Sequence, residues 1–139
     1  MTAYVDSSVL LRVVLGQSHA LKEWKTIRQG VASALVEVEC LRTLDRLRLR
    51  GGVSDSDVAT RRHTIFRLLE AMEIVEPNRT ILARAAQPLP TELGTLDAIH
   101  LASAMLWRER TEAELVMATH DIALGTAARS CGLRVVGIG

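Results

Sequence analysis

Five short apolar runs, separated by stretches of helical periodicity, constrain this chain more than any other feature. They are Ala3-Tyr4-Val5, Val31-Ala32, Ile74-Val75, Leu115-Val116-Met117-Ala118 and Leu133-Arg134-Val135-Val136. Strands this short, alternating with helices, form a parallel sheet, because parallel neighbours need a crossover between them and the helices then cover both faces. The expected fold is therefore α/β: a three-layer α/β/α sandwich with a mostly parallel central sheet of about five strands. A chain of 139 residues fits one domain, 1–139, and buries a core without disulfides or a structural metal.

The helical stretches are punctuated by recognisable stops and starts. Asp6-Ser7-Ser8 opens a helix carrying Val9, Leu10, Val13 and Val14; the pattern from His19 to Gln29 predicts a second helix ended by Gly30. A long helix is expected from Ser33 to Arg50, closed by Gly51-Gly52, and Ser54-Asp55-Ser56-Asp57 caps another that runs to about Met72. Asn78 to Ala86 precedes a Pro88-Leu89-Pro90 break. Thr95 is then expected to cap an apolar helix with Asp97 in its first turn, and Ile122 to Cys131 forms the last helix before Gly132.

Composition excludes several classes of function. With 48% hydrophobic but 3% aromatic residues, the core is aliphatic and there is no aromatic platform for stacking on single-stranded bases. Net charge is +1, so any site for a polyanion must be local. Cys40 and Cys131 lack zinc-site spacing and form no disulfide framework. No apolar run approaches the ~18 residues of a membrane span, which predicts a cytoplasmic protein.

Asp6 and Asp121 each stand where a strand hands over to a helix, so right-handed crossovers bring both to the carboxyl edge of the sheet, where such folds bind ligands. Asp97 opens a helix that feeds the fourth strand, and the local pattern alone does not place it there. All three acids are also ordinary helix-opening residues. Gathered together, however, carboxylates repel one another and take up protons unless a cation holds them ionised. Oxygen-only ligands favour Mg²⁺ or Mn²⁺, which can activate water for in-line displacement at a phosphodiester.

Three segments carry a resemblance. Tyr4-Val5-Asp6-Ser7-Ser8-Val9-Leu10, Leu96-Asp97-Ala98-Ile99-His100-Leu101-Ala102 and Thr119-His120-Asp121, with Ala127 and Gly132-Leu133, resemble PIN-domain proteins of the VapC toxin type in order and spacing. The resemblance implies a Mg²⁺- or Mn²⁺-dependent endoribonuclease, a homodimer, and inhibition by a VapB-type antitoxin. It carries the metal-binding acids onto Asp6, Asp97 and Asp121. The resemblance also implies a fourth catalytic acid, six residues after a serine at the end of the second strand, and Ser33 and Glu39 meet that spacing. Glu37 is an alternative: the two lie about 200° apart on a helix, so both cannot enter one pocket, and the surrounding residues are apolar all round. Glu39 could also be no more than a surface partner of Arg42.

Ser7 and Thr119 are candidates for positioning water or substrate, and Arg42, Arg46, Arg61 and Arg62 for contacting phosphates. His100 reads as a packed or hydrogen-bonded histidine with no acid but Asp97 in reach, and His120 as a solvent-facing residue beside the pocket, with a role in orienting RNA as the lesser alternative. Apolar positions from Val9 to Leu15 and from Leu21 to Ile27 could receive an antitoxin helix, or simply be core. Receiver domains need a lysine late in the chain, yet the only lysines are Lys22 and Lys25; haloacid dehalogenase-type phosphatases need an acid where Ser8 stands. The remaining alternative is a noncatalytic metal- or protein-binding module acting with an antitoxin partner on DNA.

Overall fold

The structure, a computed structural model, describes residues 1–139. Five strands, β1 (Thr2–Val5), β2 (Gln29–Ser33), β3 (Glu73–Val75), β4 (Val116–Ala118) and β5 (Arg134–Val136), form one sheet in the order β3-β2-β1-β4-β5. Every neighbouring pair is parallel, so the sheet is parallel throughout. Six helices complete the layers: α1 (Ser7–Val14), α2 (Leu35–Leu49), α3 (Asp55–Glu70), α4 (Arg79–Ala85), α5 (Thr95–Thr111) and α6 (Ile122–Ser130).

The period-2 alternation of β1 sorts the two faces. Ala3 and Val5 face a core shared with Val9 and Leu10 of α1, Val36, Cys40 and Leu44 of α2, and Ile65 and Leu69 of α3. Tyr4 faces the other core, with Leu101 and Trp107 of α5 and Leu124, Ala127 and Ala128 of α6. Both cores are aliphatic in the main, as the composition demands. No helix is long and apolar enough to cross a membrane.

Two local expectations are corrected. From His19 to Gln29 there is only a single 3₁₀ turn, Trp24–Thr26. Leu21, Trp24 and Ile27 still reach the core, but apolar residues three apart suit a 3₁₀ turn as well as an α-helix, and Glu23 makes no capping bond to extend it. At α5, Gly94 occupies the cap position and Thr95 is already helical, so no side chain closes the first turn. The apolar residues considered for an antitoxin helix are partly consumed: Val9, Leu10, Val14 and Leu21 are core.

The placement of Asp97 follows from helix direction. α5 has 17 residues, about 25 Å of helix, and its C-terminal end delivers the chain to the start of β4. It therefore runs antiparallel to the strands, and its first turn lies at their carboxyl edge.

Candidate active site

The order β3-β2-β1-β4-β5 reverses direction between β1 and β4, and the loops leaving these two strands meet in the crevice where doubly wound sheets bind ligands. Asp6 braces that meeting point. Its backbone N–H donates to the Ala118 carbonyl at 3.1 Å, extending the ladder one step past the strands. Asp6 Oδ1 accepts from the Ser7 N–H at 2.8 Å, and Oδ2 accepts from the Ser8 and Thr119 hydroxyls, each at 2.8 Å. The bracing is reciprocal: Ser8 Oγ accepts from the His120 N–H and Thr119 Oγ1 from the Asp121 N–H, both at 3.0 Å. Ser7, Ser8 and Thr119 thus hold the acids in place, and Thr119 is fully buried.

Asp121 Oδ1 caps α6 by accepting the Leu124 N–H at 3.0 Å. Asp97 stands half-buried in the first turn of α5. Burial, followed by the fields of Asp121, Asp6 and Glu39 and against that of His100, pushes its pKa up to about 6. The three acids that sequence reading named therefore feel one another.

Of the two candidate glutamates, Glu37 is exposed and Glu39 is turned inward. Glu39 meets a histidine that the sequence reads as packed or hydrogen-bonded, and it is both. His100 is fully buried; its Nε2 lies 2.6 Å from Glu39 Oε1 and 3.9 Å from Asp6 Oδ1, and its Nδ1 lies 2.7 Å from the Tyr4 hydroxyl. Burial alone would lower the pKa of His100, but the bond to Glu39 and the fields of Glu39, Asp6 and Asp97 hold it above the ordinary value. Burial is also what drives the Tyr4 phenol far up, so it stays protonated. His120 is likewise not solvent-facing: its Nδ1 donates to the Gly137 carbonyl at 2.8 Å, and its Nε2 is buried.

The arginines divide. Arg42 pairs with Asp45 at 3.4 Å, and not with Glu39; Arg46 donates to Thr43 Oγ1 at 3.1 Å. Both remain exposed on the α2 face that carries Glu39, since positions 39, 42 and 46 fall within about 60° of one another. Arg61 is committed to the fold, donating to the Val14 carbonyl and to Asp57, and Arg62 lies over the Phe66 ring at 5.8 Å.

As they stand, no three acids close around one point at coordinating distance. The donor set nevertheless fits a hard divalent cation: it is all oxygen, and no lysine or arginine pairs with Asp6, Asp97 or Asp121 to relieve the repulsion felt at Asp97.

Residues 3–128 match the family model described as PIN domain. Across 137 residues the chain is 32% identical to Ribonuclease VapC46 of Mycobacterium tuberculosis, a match covering 96% of this chain and 95% of that one. This chain is a PIN-domain protein of the VapC type. Solved structures agree on the fold: VapBC2 from Rickettsia felis bound to a promoter DNA fragment has a TM-score of 0.67 at 11% identity, over 97% of both chains. Mycobacterium tuberculosis VapC20, a sarcin-ricin loop cleaving toxin, has a TM-score of 0.60 at 17% identity, over 90% of this chain and 94% of that one. The PIN assignment thus rests on the family model and the curated relative, and the solved structures support its architecture.

Proposed function

We propose that this PIN protein is the toxin of a toxin-antitoxin pair and acts in the cytoplasm as an endoribonuclease that needs Mg²⁺ or Mn²⁺. The observation that carries the reading is the convergence of acids at the switch point of the sheet: His100 Nε2 lies 2.6 Å from Glu39 and 3.9 Å from Asp6, Thr119 ties Asp6 to the Asp121 backbone, and Asp97 opens α5 at the same edge. Asp6, Asp97 and Asp121 would hold the cation, which supplies Lewis-acid activation of water and neutralises charge on the phosphodiester. Glu39 commits Oε1 to His100, so Oε2 is the atom free to take a proton from the attacking water. The phosphorus-oxygen bond to water forms as the bond to the leaving ribose oxygen breaks, and that oxygen takes up a proton from solvent water to leave as a hydroxyl. Arg42 and Arg46, on the same helix face, would meet the phosphates of the RNA strand, with Ser7 and Thr119 acting indirectly through Asp6.

Cleavage of total RNA by the purified chain tests this. Discrete fragments are expected with Mg²⁺ or Mn²⁺ and none with EDTA. Asp121→Asn retains the cap on α6 but should cut the rate on the order of 100-fold or more, and Arg46→Ala should raise KM and flatten its salt dependence. Folded, metal-loaded protein that cleaves nothing would shift weight to a noncatalytic role with an antitoxin on DNA, a reading favoured by the promoter fragment bound to the Rickettsia felis relative. The expected partners are a VapB-type antitoxin and a second copy of the chain. Light scattering of the free and antitoxin-bound protein, against a chain mass of 15.2 kDa, checks both.

A further inference from the structure

We infer that His100 is a positioning residue for Glu39: anchored by Tyr4, it turns the glutamate into the acid cluster and fixes which carboxylate oxygen faces the crevice. The inference rests on the ribonuclease reading for its consequence in catalysis, and on geometry alone for the contact.

Glu39 sits on a helix whose neighbouring side chains give it no reason to turn inward. Ordering a glutamate side chain costs rotamer entropy, so a partner must hold it. No cation of α2 does so: Arg42, one turn on, is engaged by Asp45 at 3.4 Å. His100 is the group in contact, at 2.6 Å.

His100 is suited to that task because neither of its nitrogens is idle. A carboxylate can only accept, so Nε2 carries the proton in the bond to Glu39. The Tyr4 hydroxyl completes Nδ1 at 2.7 Å and can do so as donor or as acceptor, so the line survives either state of that nitrogen. The Tyr4 and His100 rings also meet edge to face, with centroids 5.9 Å apart, which fixes the imidazole plane. Tyr4 and His100 are both fully buried, and the ring cannot swing to water without opening the core.

The line joins the elements that carry or adjoin three of the four acids. Tyr4 lies on β1 two residues before Asp6, His100 lies on α5 three residues after Asp97, and Glu39 lies on α2. One hydrogen-bonded chain therefore sets the relative positions of strand end, helix start and glutamate. Partners behind the groups that do the chemistry commonly contribute 10- to 100-fold.

The test uses the full chain with Mn²⁺ and an RNA that it cleaves. His100→Leu fills the space without a donor and should lower kcat about 10- to 100-fold with KM changed less than about threefold. His100→Gln, which returns an N–H near the Nε2 position, should recover most of that loss. Tyr4→Phe, which removes only the hydroxyl, should fall between them and serves if His100→Leu does not fold. Because His100 acts through Glu39, adding His100→Leu to Glu39→Ala should cost nothing further. In parallel, the His100 Nε2 proton should give a downfield resonance that disappears in Glu39→Ala. Wild-type kcat in His100→Leu, or a full additional loss on top of Glu39→Ala, overturns the inference. If the wild-type chain cleaves no RNA, the ribonuclease reading fails, and the resonance then decides the contact: loss in Glu39→Ala upholds it and persistence overturns it.

Discussion

Asp97→Asn is expected to silence RNA cleavage and at the same time to make the metal-free protein more stable. The first effect, on the order of 1,000-fold, follows from removing a charge placed to face developing charge at the phosphate through the cation. The second follows from linkage. The Asp97 carboxyl titrates near 6 in the folded chain against an ordinary value of 3.8, with burial as the main cause and Asp121 and Asp6 next. The folded state thus holds this proton more tightly than the unfolded state. Stability conferred by the protonated acid is present at low pH and is lost as pH rises from about 4 through about 6. Above that range the ionised acid is a standing penalty. At a half-buried position, solvent screening reduces it to on the order of 1 kcal/mol. An uncharged asparagine escapes it, so at pH 7.5 in EDTA the variant should melt about 2–4 °C above the wild type. The gap should shrink on acidification, and Mg²⁺ should close it by binding the wild type alone. A variant that melts below the wild type at pH 7.5 would show that crowding does not govern Asp97.

That opposition of stability and activity explains which parts of the site could be read from sequence. Asp6 and Asp121 were legible because each ends an apolar run and opens a helix, and the strand order then brings them to one crevice. Asp97 was not placed by its local pattern, although the information was present: a helix that delivers the chain to the start of a parallel strand must begin at the strand's other end. Glu39 was chosen over Glu37 only by resemblance, since α2 offers apolar neighbours in every direction and its orientation is set by a side chain 61 residues away.

The partners of His100 are hidden from the local pattern for the same reason. They are 61 and 96 residues distant, while the acid nearest in sequence, Asp97, does not bond to His100. One signal was available. His100, Ala104 and Trp107 share a buried stripe of α5, and a polar ring in such a stripe requires partners for its nitrogens. The single tyrosine, Tyr4, in the middle of an apolar strand, poses the matching requirement from the other side. The failed helix between His19 and Gln29 is a different kind of miss: three anchors at a spacing of three do not distinguish one turn of 3₁₀ from an α-helix.

The largest loss of stability is expected at Gly137→Ala, in a residue outside the acid cluster. Gly137 adopts φ +104°, where a side chain is strained whatever the space around it. An added Cβ would also press on the Thr119 carbonyl group, 3.0 Å from its carbon, and lie 3.3 Å from Leu21 Cδ1. Backbone cannot give way as a flexible side chain does. Strain and overlap together should cost about 3–5 kcal/mol, lowering Tm by about 10 °C or more. Gly16 provides the control, because it has φ +65° and nothing near its would-be Cβ, so Gly16→Ala should cost only about 1 kcal/mol. Activity should separate them further. Thr119 donates to Asp6 Oδ2 and receives the Asp121 N–H, and the Gly137 carbonyl holds the His120 ring, so a displaced Thr119 loosens the brace between the two loops. Gly137→Ala should therefore cleave RNA more slowly even at temperatures where circular dichroism shows it fully folded, whereas Gly16→Ala should match the wild type. Equal melting temperatures for the two variants would mean that the segment after β5 adjusts freely and does not brace the site.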